Sequence, residues 1–156
     1  MKIPKKFDPI LSGISASFVI GILAFLTLNT SAGIWLMFSF GATIFLVFVL
    51  YNLETAQPKN IFFGHLISML VGVLFNETIG LSFYSLGLSV GIALILMVYF
   101  NVMHPPAASN PLVALFMDLS YDYLLFPVVV GAILIIILSV LINKFLLKRN
   151  YPTKWF

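Results

Sequence analysis

Two histidines, one small hydroxyl-bearing patch and one proline-broken stretch hold most of the side chains here that could do chemistry. His65 lies in FFGHLIS and His104 in NVMHPPAASNP, residues 101–111. Histidine donates, accepts or carries a proton near neutral pH. Behind His104, Pro105 and Pro106 stop a preceding helix and suit the first turn of a new one, where the N–H they lack would be unpaired. A helix start offers free N–H groups and a partial positive charge, which favours an anion. Ala107 and Ala108 would let a ligand approach the backbone, Ser109 and Asn110 would add donors, and His104 would donate or carry a proton. The bland alternative is a turn in which His104 caps helix ends and the alanines allow tight packing. Spacing alone leaves both open.

The hydroxyl-bearing patch is Ser39-Phe40-Gly41-Ala42-Thr43, set in a bulky apolar run. It reads as a packing notch or as a second lining patch, which adds Gly41 and Thr43 to the substrate-binding candidates. His65 would face either the bundle interior or the headgroups. Two histidines with only Glu54 on the same side provide thinly for zinc or iron, so no metal or other cofactor is expected. The chain has no cysteine, so no disulfide or thiolate site is available. It also lacks a nucleophile elbow, a phosphate-cradling glycine loop and an HExxH pattern, and no enzyme is expected.

These groups must be positioned by membrane helices. The chain is 62% hydrophobic and only 8% charged, against roughly 25% charged in a soluble domain. A span needs about 20 apolar residues, and the runs fall at about Pro9–Leu28, Gly33–Tyr51, Asn60–Asn76, Ser85–Met103, a short piece from the prolines to Met117, and Tyr123–Ile142. The basic start followed by a long apolar run reads as a retained first span, not a cleaved signal. One membrane domain, residues 9–143, is expected between tails 1–8 and 144–156.

Charge placement tests the count. The net charge of +3 reads as topology charge and not as a nucleic-acid footprint, because the basic residues sit at segment ends. Lys2, Lys5 and Lys6 put the N-terminus in the cytoplasm, Lys59 then falls inside and Glu77 outside. If the fourth and fifth runs were one crossing, the tail with Lys144, Lys148, Arg149 and Lys154 would end outside, against the positive-inside rule. The HPP stretch must therefore reverse the chain, as a turn between two crossings or as a re-entrant break. All eight Lys and Arg then lie inside, and Glu77, Asp118 and Asp122 lie outside. Gly41-Ala42-Thr43 loosely echoes Ala107-Ala108-Ser109, which suggests a three-plus-three inverted repeat with both patches near the midplane.

HPPAAS, SFGAT and AQPKNIFFGHLIS together resemble the motifs of the HPP family of integral membrane proteins, in order and spacing over most of residues 12–143. The resemblance implies a small multi-span protein, with plant and cyanobacterial relatives associated with nitrite transport. The motif positions are His104, Pro105, Pro106, Ala107 and Ser109, with Gln57, Pro58, Asn60, Gly64 and His65. The family usually has a glycine in the run after HPP where this chain has Ala108.

The expectation is an all-α, polytopic membrane helix bundle with a proline-broken, reversing helix pair and both termini cytoplasmic, in the plasma membrane of a prokaryote. Its expected function is transport or channelling of a small inorganic anion, nitrite by resemblance. The expected partners are the lipid bilayer, that anion and further copies of the chain. The rivals are a non-transporting scaffold or sensor subunit and an intramembrane metal-dependent enzyme.

Overall fold

Six helices follow one another in the computed structural model, which describes residues 8–31 and 34–155. The charges at Lys2, Lys5 and Lys6 and the expected opening of segment two at Gly33 lie outside the described residues. Helices α1 (Asp8–Asn29), α3 (Pro58–Thr78) and α6 (Leu124–Leu146) are each long and apolar enough to cross a membrane. Helices α2 (Phe38–Val49) and α4 (Phe83–Tyr99) are apolar but shorter. A 3-10 turn, Pro105–Ser109, leads into α5 (Asn110–Phe116). No strand occurs among the described residues.

Several boundaries depart from the hydropathy runs, each for a local reason. Helix α2 begins only at Phe38, after an extended stretch at Ile34–Met37. The N–H groups of Trp35 and Leu36 in that stretch both donate to Thr27 Oγ1 of α1, at 3.0 and 3.1 Å. One hydroxyl thus supports backbone that has no helix of its own. Helix α4 starts earlier than expected because Ser82 and Ser85 form a reciprocal capping box.

Helix α4 also ends earlier, at Tyr99 instead of near Met103, and the prolines are not the cause. Asn101 takes a left-handed φ of 54°. The Val102 N–H then reaches Met97 O at 2.9 Å and the Asn101 N–H reaches Val98 O at 3.1 Å, the two bonds of a Schellman ending. Pro105 and Pro106 only open the next turn. In α6, Pro127 forces Phe126 out of helical geometry (φ −122°, ψ 122°). The helix proper resumes at Val130, and a widened last turn carries it to Leu146.

Helix α3 is the spine against which α4 and α5 pack. Asn60, near its start, donates to Met103 O at 2.9 Å, and Asn76, near its end, donates to Asp118 at 2.8 Å. The chain from Met103 to Asp118 therefore runs beside α3 almost end to end. Two glycines allow the approach. A Cβ on Gly72 would sit 2.6 Å from Pro111 Cα, and one on Gly64 would sit 2.6 Å from His104 Cβ. Gly64→Ala is therefore expected to cost about 1–3 kcal/mol, read as a lower Tm in detergent. Gly13→Ala, whose Cβ meets nothing within 4 Å, is expected not to lower it.

The bundle is apolar outside and polar at several points within. Phe18, Phe25, Phe83, Leu88, Ile95 and Ile137 are among its exposed side chains, while Thr43, His65, Ser68, Ser89, His104, Asn110 and Asn143 are buried. That inversion suits lipid as solvent, where backbone and side-chain polar groups must find partners internally. At the end bearing the α2–α3 connection, here termed the basal end, the tail folds back and buries Leu147 and Tyr151.

Candidate functional site

Three separate pieces of chain bring the two histidines together. Thr43 comes from the middle of α2. His65 lies seven residues after Pro58, about 10 Å along α3. His104 is delivered by the extended link that the Schellman ending of α4 sets up. All three are buried. Thr43 Oγ1 lies 2.8 Å from His65 Nε2 and 2.9 Å from His104 Nε2. The imidazole rings meet edge to face with centroids 4.8 Å apart, and Phe40 packs edge-on against His65 at 5.1 Å.

One carbonyl fixes the first hydrogen bond, and with His104 neutral the others follow from it. His104 Nδ1 is 2.7 Å from Thr55 O, and a carbonyl can only accept, so Nδ1 carries the proton. With His104 neutral, its Nε2 is bare and must accept from the Thr43 hydroxyl. The Thr43 oxygen then accepts from His65 Nε2–H. That leaves His65 Nδ1 bare, and it accepts from Asn110 Nδ2 at 3.1 Å. Asn110 Nδ2 also donates to Ser68 Oγ at 2.8 Å. The result is a single-file chain of donors from Asn110 through His65, Thr43 and His104 to Thr55. With both histidines neutral it closes without conflict, and Thr43 Oγ1 also lies 3.2 Å from Ser39 O, a second acceptor for its proton. Asn110 Oδ1, fully buried, has no partner among the described residues.

Of the sequence-selected residues, this places Thr43, His65, His104 and Asn110 in one network. Gly41 turns away and lines a groove of about 540 Å³ between α1 and α2, together with Ser12, Gly13 and Ser17. Pro105 and Pro106 face a second opening beside Ala42, Phe45 and Leu46. Ala107 is buried in the turn, and Ala108 is half-buried. Ser109 is exposed and donates to Pro106 O at 3.0 Å. The start of this turn offers fewer donors than an ordinary helix start. Pro105 and Pro106 have no N–H, and that of Ala107 is bonded to His104 O at 2.9 Å. No three metal-binding side chains converge among the described residues.

A second buried node escapes a reading from charge alone. Arg149 is only 9% exposed. It donates to Phe48 O (2.8 Å), Asn143 Oδ1 (3.1 Å), Ser12 Oγ (2.8 Å) and Asp8 Oδ1 (2.6 Å). Its guanidinium also lies over the Tyr51 ring at 4.7 Å. Nothing in the segment pattern distinguished Arg149 from a tail charge. Asn143, a lone amide at the close of a long apolar run, was the available signal.

Fold and site together define an integral membrane helix bundle built around a buried histidine pair. The chain belongs to the HPP transmembrane family, whose model, described as the HPP transmembrane region, matches residues 2–152. A Dictyostelium discoideum protein described as a transmembrane protein is 27% identical over 126 residues, covering 75% of this chain and 44% of the relative. Another from the same organism, described likewise, is 26% identical over 153 residues, covering 93% of this chain and 49% of the relative. The chain thus spans less than half the length of either relative. No solved structure matches it.

Proposed function

We propose that this protein is a proton-coupled transporter of a small inorganic anion, with nitrite the first candidate by family resemblance. The observation that supports it is the single-file chain from Asn110 to Thr55, buried among α2, α3 and the HPP turn. Histidine chains inside a membrane bundle are costly and typically serve as proton relays. A proton arriving at His65 Nδ1 would push the Nε2 proton onto Thr43 and the Thr43 proton onto His104 Nε2. His104 would then release its Nδ1 proton at the basal end. Each bond made is matched by one broken, and no residue keeps an extra charge.

Charge placement gives the relay an orientation. Lys59, Lys144, Lys148 and Lys154 cluster at the basal end, which is cytoplasmic by the positive-inside rule. A small pocket of about 70 Å³ there is lined by Gln57, Lys59, Asn60, Asn101 and Lys154, with Glu54. Through Asn60 it reaches the carbonyl of Met103, the residue before His104, and it suits an anion. The opposite end opens among Asp118, Asp122 and Tyr121, a setting that gathers protons in preference to anions. Moving one anion inward against the membrane potential costs about 2.3 kcal/mol per 100 mV, and a proton carried with it cancels that cost. In this reading His65, Thr43, His104 and Asn110 work directly. Gly41, Pro105, Pro106, Ala107, Ala108 and Ser109 shape the neighbouring surface. The helices α1–α3 and α4–α6 form the two halves whose small patches adjoin at Thr43 and His104, and several copies of the chain assemble.

The test is flux in liposomes holding a pH dye, comparing nitrite, nitrate, formate and chloride, with protein-free vesicles as the baseline. Nitrite uptake accompanied by proton uptake is expected. His104→Gln, still folded, is expected to lose the proton dependence; unchanged coupling would sink the proposal. Absence of flux for all four anions would favour a scaffold or sensor subunit.

A further inference from the structure

The connection between α2 and α3 is held from two sides. From within, His104 Nδ1 donates to Thr55 O at 2.7 Å. From the tail, the Tyr151 hydroxyl donates to the next carbonyl, Ala56 O, at 2.8 Å. Both carbonyls belong to the short 3-10 turn Glu54–Ala56 and its edge. Gln57 fastens the same turn. Its Nε2 donates to Tyr51 O and Leu53 O at 2.9 and 2.8 Å, and its Oε1 accepts the Thr153 N–H at 2.8 Å. Tyr151, Ala56, Gln57 and His104 are each no more than 2% exposed. Burial pushes the Tyr151 phenol above its ordinary range, so it remains a donor at any physiological pH.

A histidine that touches a carbonyl keeps its proton on the nitrogen facing it. The tautomer of His104 is therefore set by where Thr55 O stands, and that carbonyl has no partner of its own from the tail. We propose that Tyr151, with Gln57, is a positioning residue: by fixing the 54–57 turn from the tail side it holds Thr55 O against His104 and so dictates which nitrogen of His104 carries the proton. The tail thereby decides the polarity of the whole relay, although among the described residues no tail group hydrogen-bonds a histidine. The consequence for transport rests on the relay proposed above; the effect on the tautomer does not.

The chain has only two histidines, so imidazole ¹⁵N spectra of histidine-labelled protein in nanodiscs resolve each ring. Wild type is expected to show His104 protonated at Nδ1 and His65 at Nε2. Tyr151→Phe removes one hydroxyl and keeps the ring. It is expected to raise the ratio of Nε2–H to Nδ1–H at His104 about fivefold, the weight of one net hydrogen bond. Tyr84→Phe, on an exposed ring, is expected to leave both histidine patterns unchanged. If Tyr151→Phe does not fold, Gln57→Glu serves with the same readout, since it keeps the acceptor for Thr153 and loses both donors to the turn. A folded variant with the wild-type His104 pattern overturns the proposal. A shifted tautomer with unaltered proton-coupled flux leaves Tyr151 as the positioning residue and removes the relay.

Discussion

Thr43→Val is expected to abolish coupling and to destabilise the bundle strongly. Valine matches threonine in shape, so no cavity forms. What changes is that His65 Nε2–H and His104 Nε2, both now bonded to one oxygen at 2.8 and 2.9 Å, would face a methyl group. Each buried orphan costs about 1–3 kcal/mol, and neither ring can turn to water because both are fully enclosed. The expected loss is therefore about 2–6 kcal/mol, visible as a large fall in Tm. Thr43→Ser restores the hydroxyl and is expected to recover both stability and proton dependence. A Thr43→Val protein with wild-type Tm would show that the hydroxyl bridges nothing.

Arg149→Leu is expected to have an effect of similar size through different chemistry. The guanidinium joins the start of α1, the end of α2 and the last turn of α6 through four acceptors. Leucine fills part of the volume but leaves Asn143 Oδ1 without the guanidinium, and Phe48 O with only the Ser12 hydroxyl at 2.9 Å. It also leaves Asp8, which is about half exposed, to seek water. Breaking a buried charged network by removing one member costs about 3–5 kcal/mol. The lower part of that range is expected, because Asp8 can be rehydrated. Arg149→Lys is not a conservative exchange, since a point charge cannot serve four acceptors lying in a fork. Thermal unfolding in detergent would separate the three proteins, with lysine expected between arginine and leucine.

Much of the architecture was legible because lipid imposes so few solutions. Apolar run length predicted the cores of α1, α3 and α6. What escaped were features written in single residues. Asn101 ends α4 by adopting a left-handed φ, four residues before the prolines that carry the stronger helix-breaking signal. Pro127 interrupts α6, although its effect on Phe126 follows from steric rules alone. Thr27 shortens the helical part of the second segment by supporting a non-helical stretch of backbone from outside it.

The site was legible as a set of residue types but not as a geometry. His65, His104, Thr43 and Asn110 stood out as the rare polar groups near small or broken sequence. Gly41 and Ser109 shared those stretches, yet they point away, because neighbouring positions on a helix or turn face different directions. The part played by Thr55, Gln57 and Tyr151 depends on the tail returning to the α2–α3 connection across about a hundred residues of chain. No local pattern reports such a return.

The unpartnered carbonyl oxygen of Asn110 has a bearing on timing. In the proposed relay, one passage reverses every donor, and His65 Nδ1–H then confronts the Asn110 amide N–H, two donors head to head. A half-turn of that amide would present its idle oxygen instead and relieve the clash. At the far end no such remedy exists, because a bare His104 Nδ1 would face the fixed oxygen of Thr55. The chain so described is a ratchet with one soft tooth and one hard one. Its turnover would be set by the resetting of an amide and an imidazole, and not by the hops between them.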